Sequence, residues 1–345
     1  MPKKIEISHR TIIFIALFGL FLWFLFLIRS VLLILFIALI LMSALNPSVR
    51  WLEKYKIPRW LAILIIYIIA LAIFVFGISG IIPPLVEQTT NLINSIPEFF
   101  HQFKVLGIDE KVIASQFSQF ASIPSNLIRF LINVFSNILT ILAIGLITFY
   151  LLLERKNLDR YLTVLFGEDK EKEIEAIIDK IELRLGGWVR GQLFLMTFVG
   201  LLNYIGFRLI GISFALPLAI LAFLLEIVPN LGPTLAAFPA ILIALTISPV
   251  KALAIAGWAF LVQQIENTIL VPRIMKKIAG VNPLITIISL AIGFKLAGVG
   301  GAILAVPTFI VIAVIASEVS DSKRFKEVDS LPSEPTKKKR LVKSS

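Results

Sequence analysis

Two glutamates, Glu226 and Glu266, lie deep in apolar sequence, whereas every Asp of the chain sits in a loop or tail stretch. An ionisable side chain at membrane depth is costly and by default marks an ion or substrate path. Each glutamate belongs to a polar island. The first is Glu226-Ile-Val-Pro229-Asn230-Leu-Gly232-Pro233. Its prolines and glycine stop a helix and free backbone polar groups, which membranes tolerate only where protein or a wet cavity covers them. The second is Gln263-Gln264-Ile-Glu266-Asn267, followed by Pro272-Arg273. Gln263, Glu266 and Asn267 stand at i, i+3 and i+4, a spacing that puts all three on one helix face. The third, Gly293-Phe-Lys295-Leu-Ala-Gly298-Val-Gly300-Gly301, closes at Pro307. Its glycines permit a tight turn or close helix approach. Lys295 either pairs with one of the two acids or snorkels to the surface.

Such groups suit proton or sodium coupling by the acids, and hydrogen bonding of a small polar cargo by Gln263, Asn267 and Asn230. Taken singly, each island also reads as a linker between short helices. Together they match the broken-helix pattern of secondary transporters, whose sites lie near the bilayer midplane. The residues expected to bind cargo or ion are therefore Glu226, Pro229, Asn230, Gly232, Pro233, Gln263, Glu266, Asn267, Arg273, Lys295 and Gly298.

Other chemistries lack their residues. The chain has no Cys, and neither His9 nor His101 lies in an apolar run. That removes disulfides, thiolates and His- or Cys-ligated metal from the membrane. No Gly-x-x-x-x-Gly-Lys-Ser/Thr loop is present for nucleotide hydrolysis. With Asp and His missing from the spans, a membrane-embedded enzyme has few groups to work with. The expectation is a carrier without a cofactor rather than an enzyme; a channel or scaffold is the remaining class.

The elements that must position these groups are helices in lipid. Of 345 residues, 58% are hydrophobic and 16% charged, against roughly half and a quarter in soluble domains. Apolar runs fall at about 11–28, 31–45, 60–82, 132–153, 188–210, 213–228, 234–247, 250–270, 282–296 and 299–317. A spanning helix needs about 20 residues, and several of these runs are shorter. The pairs 213–228/234–247 and 282–296/299–317 are each either two short spans or one re-entrant hairpin. The fold class expected is an all-α, polytopic bundle of about eight membrane segments, some broken or re-entrant.

Residues 1–82 read as three N-terminal segments, retained despite a basic start that resembles a signal peptide. Residues 83–131, rich in Pro and Phe, read as extracytoplasmic amphipathic helices. A fourth segment covers 132–153. A charge-dense cytoplasmic helix covers 154–187, with Ile174, Ile177, Ile178 and Ile181 as its apolar stripe. The transport core is 188–317, and 318–345 is a disordered basic tail.

The net charge of +11 would suggest nucleic acid in a soluble protein. Here its distribution decides: 26 of the 33 Lys and Arg fall on one side of the expected spans and six on the other. Cytoplasmic loops collect such residues, which predicts both termini inside a cell membrane. The partners expected are the lipid bilayer and a small-molecule or ion cargo, and no nucleic acid.

The islands also carry a resemblance. Glu226-Ile-Val-Pro-Asn-Leu-Gly-Pro233, Gln264-Ile-Glu-Asn267 with Val271-Pro-Arg-Ile-Met-Lys276, Asn282-Pro-Leu-Ile285 and Gly298-Val-Gly-Gly-Ala302 to Pro307 resemble the autoinducer-2 exporter (AI-2E, or PerM) family. Asn46-Pro47 and the polar region between the third and fourth spans extend it over nearly the whole chain. The long basic tail departs from it. The resemblance implies a prokaryotic transporter of about eight spans. Some members carry the quorum-sensing signal autoinducer-2, and others look like sodium/proton antiporters. It also implies a homo-oligomer.

Overall fold

The apolar runs become helices in the computed structural model, which describes residues 9–73, 137–229, 232–273 and 283–329 with a few positions between 75 and 91. No strand occurs among the described residues. The chain is a multi-pass helical membrane protein: among the described residues six helices are long and apolar enough to cross a bilayer, and shorter apolar helices lie among them.

The order is α1 (His9–Leu27), α2 (Arg29–Glu53), α3 (Arg59–Ile73), α4 (Ile138–Glu154), α5 (Leu158–Phe166) and α6 (Glu168–Ile210). Then come α7 (Ala215–Leu225), α8 (Gly232–Ile247), α9 (Pro249–Ile265) and α10 (Pro283–Asp329). Most of the amphipathic region 83–131 lies outside the described residues, as do 330–345 with the Lys337–Arg340 run. The last helix runs on to Asp329, past position 318 where the sequence turns polar.

The first two segments meet at Ile28, beside the expected boundary at Arg29-Ser30. Helical hydrogen bonds continue through Ile28, from its N–H to Phe24 and from Leu32 back to it, both at 3.0 Å. Helix α1 touches α2 only lightly, and none of its span is buried. Its Leu and Phe side chains face outward all round, as expected of a helix solvated by lipid.

Helix α6 also merges two expected elements. The charge-dense stretch and the apolar run 188–210 form one 43-residue rod, about 65 Å long at 1.5 Å per residue. That is twice the hydrocarbon thickness, so α6 crosses the bilayer and continues beyond it. Gly186 sets its contact with α2: a Cβ there would lie 2.0 Å from the Ser43 carbonyl oxygen.

Three apolar clusters pack the bundle. Met42, Val49, Ile63 and Leu152 join α2, α3 and α4. Ile40, Leu185 and Trp188 pack on Ala302, Val306 and Ile310 of α10, with Val228 against them. Phe207, Leu218, Ala244 and Ile255 join α6 to α9.

One end of the bundle is tied by buried arginines. Arg59 donates to the Leu152 carbonyl at 2.7 Å, to Asn46 Oδ1 at 3.0 Å and to Glu53 at 2.8 Å. Asn46 Nδ2 donates onward to Glu182 at 3.2 Å. Arg155 pairs with both Glu182 and Asp179. Arg155 and Glu182 are 7% and 8% exposed. A buried charge is tolerated only when paired and hydrogen-bonded, and here every charge of the chain Glu53–Arg59–Asn46–Glu182–Arg155 has such a partner.

Both ambiguous pairs fold as hairpins. Helix α7, at 11 residues, is about 17 Å long, too short for a core of about 30 Å. It turns back into α8, which packs on it. Lys251, just past α8, donates to the Gly211 carbonyl at the end of α6 at 3.0 Å. The two ends of this hairpin therefore lie close together. Helix α10 is broken at Ala297 (φ −144°) and Gly298 (φ 60°, ψ −143°), a conformation open in practice to glycine alone. Its arms, 283–296 and 299–329, meet at Gly293 and Gly301. A Cβ at Gly301 would lie 2.0 Å from the Gly293 carbonyl oxygen.

Candidate functional site

The first hairpin delivers Glu226. Helix α7 ends at Leu225, and Pro229 with Gly232-Pro233 prevents its continuation. Gly232 then lets α8 start against the end of α7, since a Cβ there would sit 2.2 Å from the Leu225 carbonyl oxygen. The turn leaves Glu226 wholly enclosed, at 0% exposure.

Helix α9 delivers Glu266. Its α-helical winding stops at Ile265, and Glu266–Leu270 form a π-turn. Pro272 has no N–H to return to Thr268, and a widened turn ahead of it absorbs the missing bond. Such turns are rare and cluster at functional sites. Glu266 is 1% exposed.

The two carboxyl groups face each other within hydrogen-bonding reach. Neither can donate while both are ionised. Accordingly both oxygens of Glu226 and Oε2 of Glu266 receive no hydrogen bond. Gln192 of α6 closes the site: its Nε2 donates to the Glu226 carbonyl, while its Oε1 is buried without a donor. Two potential negative charges thus lie buried together, three of their oxygens without a donor, while the Gln192 side chain bonds the backbone carbonyl of Glu226. In a low-dielectric interior such a pair demands a neutralising partner. A proton shared between the carboxyls supplies it, as does a small hard cation held by oxygens.

The other expected site residues are distributed unevenly around this pair. Pro229, Gly232 and Pro233 form the hairpin tip beside Glu226; Pro229 is half-buried and the other two are buried. Gln263 is half-buried and donates to Thr234 Oγ1 at 3.1 Å, which ties α9 to the start of α8. Asn267 and Arg273 are exposed. Asn267 and Glu266 are neighbours in sequence, so about 100° of helix rotation separates them, and Glu266 is turned into the protein while Asn267 stays exposed. Lys295 is exposed and Gly298 half-buried at the break of α10. Asn230 lies outside the described residues.

Gln192 is the site residue that sequence reasoning passed over. Its signal was an amide inside the apolar run 188–210, where polar side chains serve as links between helices. Asn203, also buried in α6, instead bonds its own helix at Val199.

Comparison with known proteins agrees with this architecture. The profile described as AI-2E family transporter matches residues 12–321. YueF of Bacillus subtilis strain 168, whose name describes a transport protein, is 32% identical, and the match covers 80% of each chain. YrrI of the same organism is 27% identical over 84% of this chain and 86% of its own length. TqsA of Escherichia coli K12, named an AI-2 transport protein, is 26% identical over 82% and 85%.

Proposed function

The chain belongs to the AI-2E family of transporters, and on that premise we propose that it is a secondary carrier coupled through the Glu226–Glu266 pair. Its cargo is a small polar organic molecule, with autoinducer-2 as the candidate suggested by the TqsA relative. The observation that carries the coupling is the meeting of two fully buried acids without a cation partner among the described residues. Such a site gains or loses a proton or sodium ion as its access changes, and a hairpin that re-enters the membrane is a natural moving part. The carrier works in the cell membrane. The basic face bearing Arg50, Lys54, Lys56, Arg59 and the start of α6 is cytoplasmic, together with both termini.

A second reading, a sodium/proton antiporter, draws on the same geometry. The amides expected to grip an organic cargo do not ring the acid pair: Gln263 is bonded to Thr234 and Asn267 is exposed. An acceptor-only cluster suits a cation better than an organic solute.

A reconstituted flux assay separates the two. Purified protein in proteoliposomes is given autoinducer-2, a sodium gradient or a pH gradient. Autoinducer-2 movement accompanied by proton flux is the expected result. Sodium/proton exchange without autoinducer-2 selects the second reading. Stepwise single-channel currents in planar bilayers would overturn the carrier altogether.

A further inference from the structure

A second polar site lies away from the acid pair, at the end of the bundle where the arginines gather. A cavity of about 270 Å³ opens between α2 and α6, lined by Ser43, Asn46, Arg50, Asp179, Glu182 and Arg190. Gly186 brings the two helices together at Ser43, and Arg190 reaches across to donate to the Ala44 carbonyl at 3.1 Å. This volume is below the usual range for drug-sized ligands and matches a small ion or headgroup.

The charges around it are unbalanced. Arg155 pairs with both Glu182 and Asp179, and Arg59 pairs with Glu53, so two arginines meet three carboxylates. With Arg50 and Arg190 the cluster holds four arginines against three carboxylates, a net charge of +1. Arg50 and Arg190 remain, both lining the cavity, and neither holds a carboxylate among the described residues. Guanidinium groups favour planar or tetrahedral oxyanions, which accept from their fork of N–H donors. Asn46 accepts from Arg59 and donates one N–H to Glu182, so the charged donors left at this site belong to the two arginines.

The level of the cavity is marked by aromatic side chains. Trp51, Tyr55 and Trp60, next to Arg50 on α2 and at the start of α3, are more than half exposed, and Trp51 packs edge-on against Tyr55 at 5.0 Å. Exposed Trp and Tyr at helix ends collect at the headgroup layer. The opening therefore faces lipid phosphates as well as solution.

We propose that the cavity between α2 and α6 binds a singly charged oxyanion of the phosphate class through Arg50 and Arg190. The phosphodiester of an anionic lipid and free inorganic phosphate share that chemistry. Occupancy would brace α2 against α6, the helix that also carries Gln192 to the acid pair. The site does not depend on which cargo is transported.

The test uses the purified full chain. Native mass spectrometry measures retention of phosphatidylglycerol against a phosphatidylcholine background, and equilibrium dialysis measures labelled inorganic phosphate. We expect at least one probe to be retained, with affinity falling about tenfold or more in Arg50→Gln and Arg190→Gln, the scale of one lost charge-assisted bond. Arg50 is exposed and outside the ion-pair chain, so its substitution leaves the fold in place; Arg50→Lys should recover part of the binding. Retention of phosphatidylglycerol alone identifies a lipid headgroup, and matching retention of phosphate identifies a soluble ligand. No binding of either probe, or binding indifferent to both arginines, overturns the site. Glu266→Gln should bind the oxyanion normally, so failure of the coupling mechanism is distinguishable from failure of this one.

Discussion

Glu226, at the end of a helix too short to cross the bilayer, faces Glu266 on a π-turn of a different helix, with both side chains sealed from solvent. The pair is the geometric centre of the transport proposal, and the first prediction acts on it.

Glu266→Gln keeps the size of the side chain and removes its charge. Expression and detergent extraction should be unchanged, while ion-coupled transport in proteoliposomes should fall by about tenfold or more, equivalent to at least ~1.4 kcal/mol of lost ion binding. The residual flux should also lose the pH dependence of the wild type. Flux equal to wild type would remove Glu266 from the mechanism.

Gly232 holds the first hairpin shut. In Gly232→Ala the new methyl group collides with the Leu225 carbonyl, so the tip must open. Overpacking of this kind costs about 1–3 kcal/mol. A lower apparent Tm in detergent, with lost transport, is expected. An unchanged melting curve would mean that the tip relaxes freely.

The break in α10 gives a paired test. Gly298 has φ 60° and nothing within 4 Å, whereas Gly300 has open space and a helical backbone. Gly298→Ala should destabilise by about 1–3 kcal/mol through backbone strain alone. Gly300→Ala should be neutral or slightly stabilising. Equal melting of the two variants would contradict the bend.

Arg155→Met strands Glu182 as a buried charge and should cost roughly 3–5 kcal/mol. Asp179, with a side chain 56% exposed, shares Arg155 from the solvent side, and Asp179→Asn should cost less than about 1 kcal/mol. Adding Glu182→Met to Arg155→Met should restore much of the loss. If the double variant melts no higher than Arg155→Met, the ion pair is not the cause.

Sidedness can be read directly because the chain has no Cys. Single cysteines at His9 and Ser330 should react with impermeant maleimide only from the cytoplasmic side. Labelling of the His9 position from outside would mean that α1 and α2 cross as one bent rod, as their continuous hydrogen bonding at Ile28 permits.

The membrane class, the helical content and the position of Glu226 and Glu266 deep in apolar sequence followed from sequence alone. Apolar length, lone acids and Pro-Gly breaks are local properties, and each has a large free-energy consequence in lipid. Tertiary structure decided what those local signals leave open. A run of 11 residues cannot say what it packs against; the packing of α7 on α8, and the bond from Lys251 to Gly211, join the two as a helical hairpin. The i, i+3, i+4 spacing put Gln263, Glu266 and Asn267 on one broad face, but packing of the helix buries Glu266 and leaves Asn267 exposed. The pairing of Glu226 with Glu266, and the arrival of Gln192, depend on three helices meeting. Contacts between residues distant in the chain are fixed by how the helices pack, and no spacing within one helix encodes them.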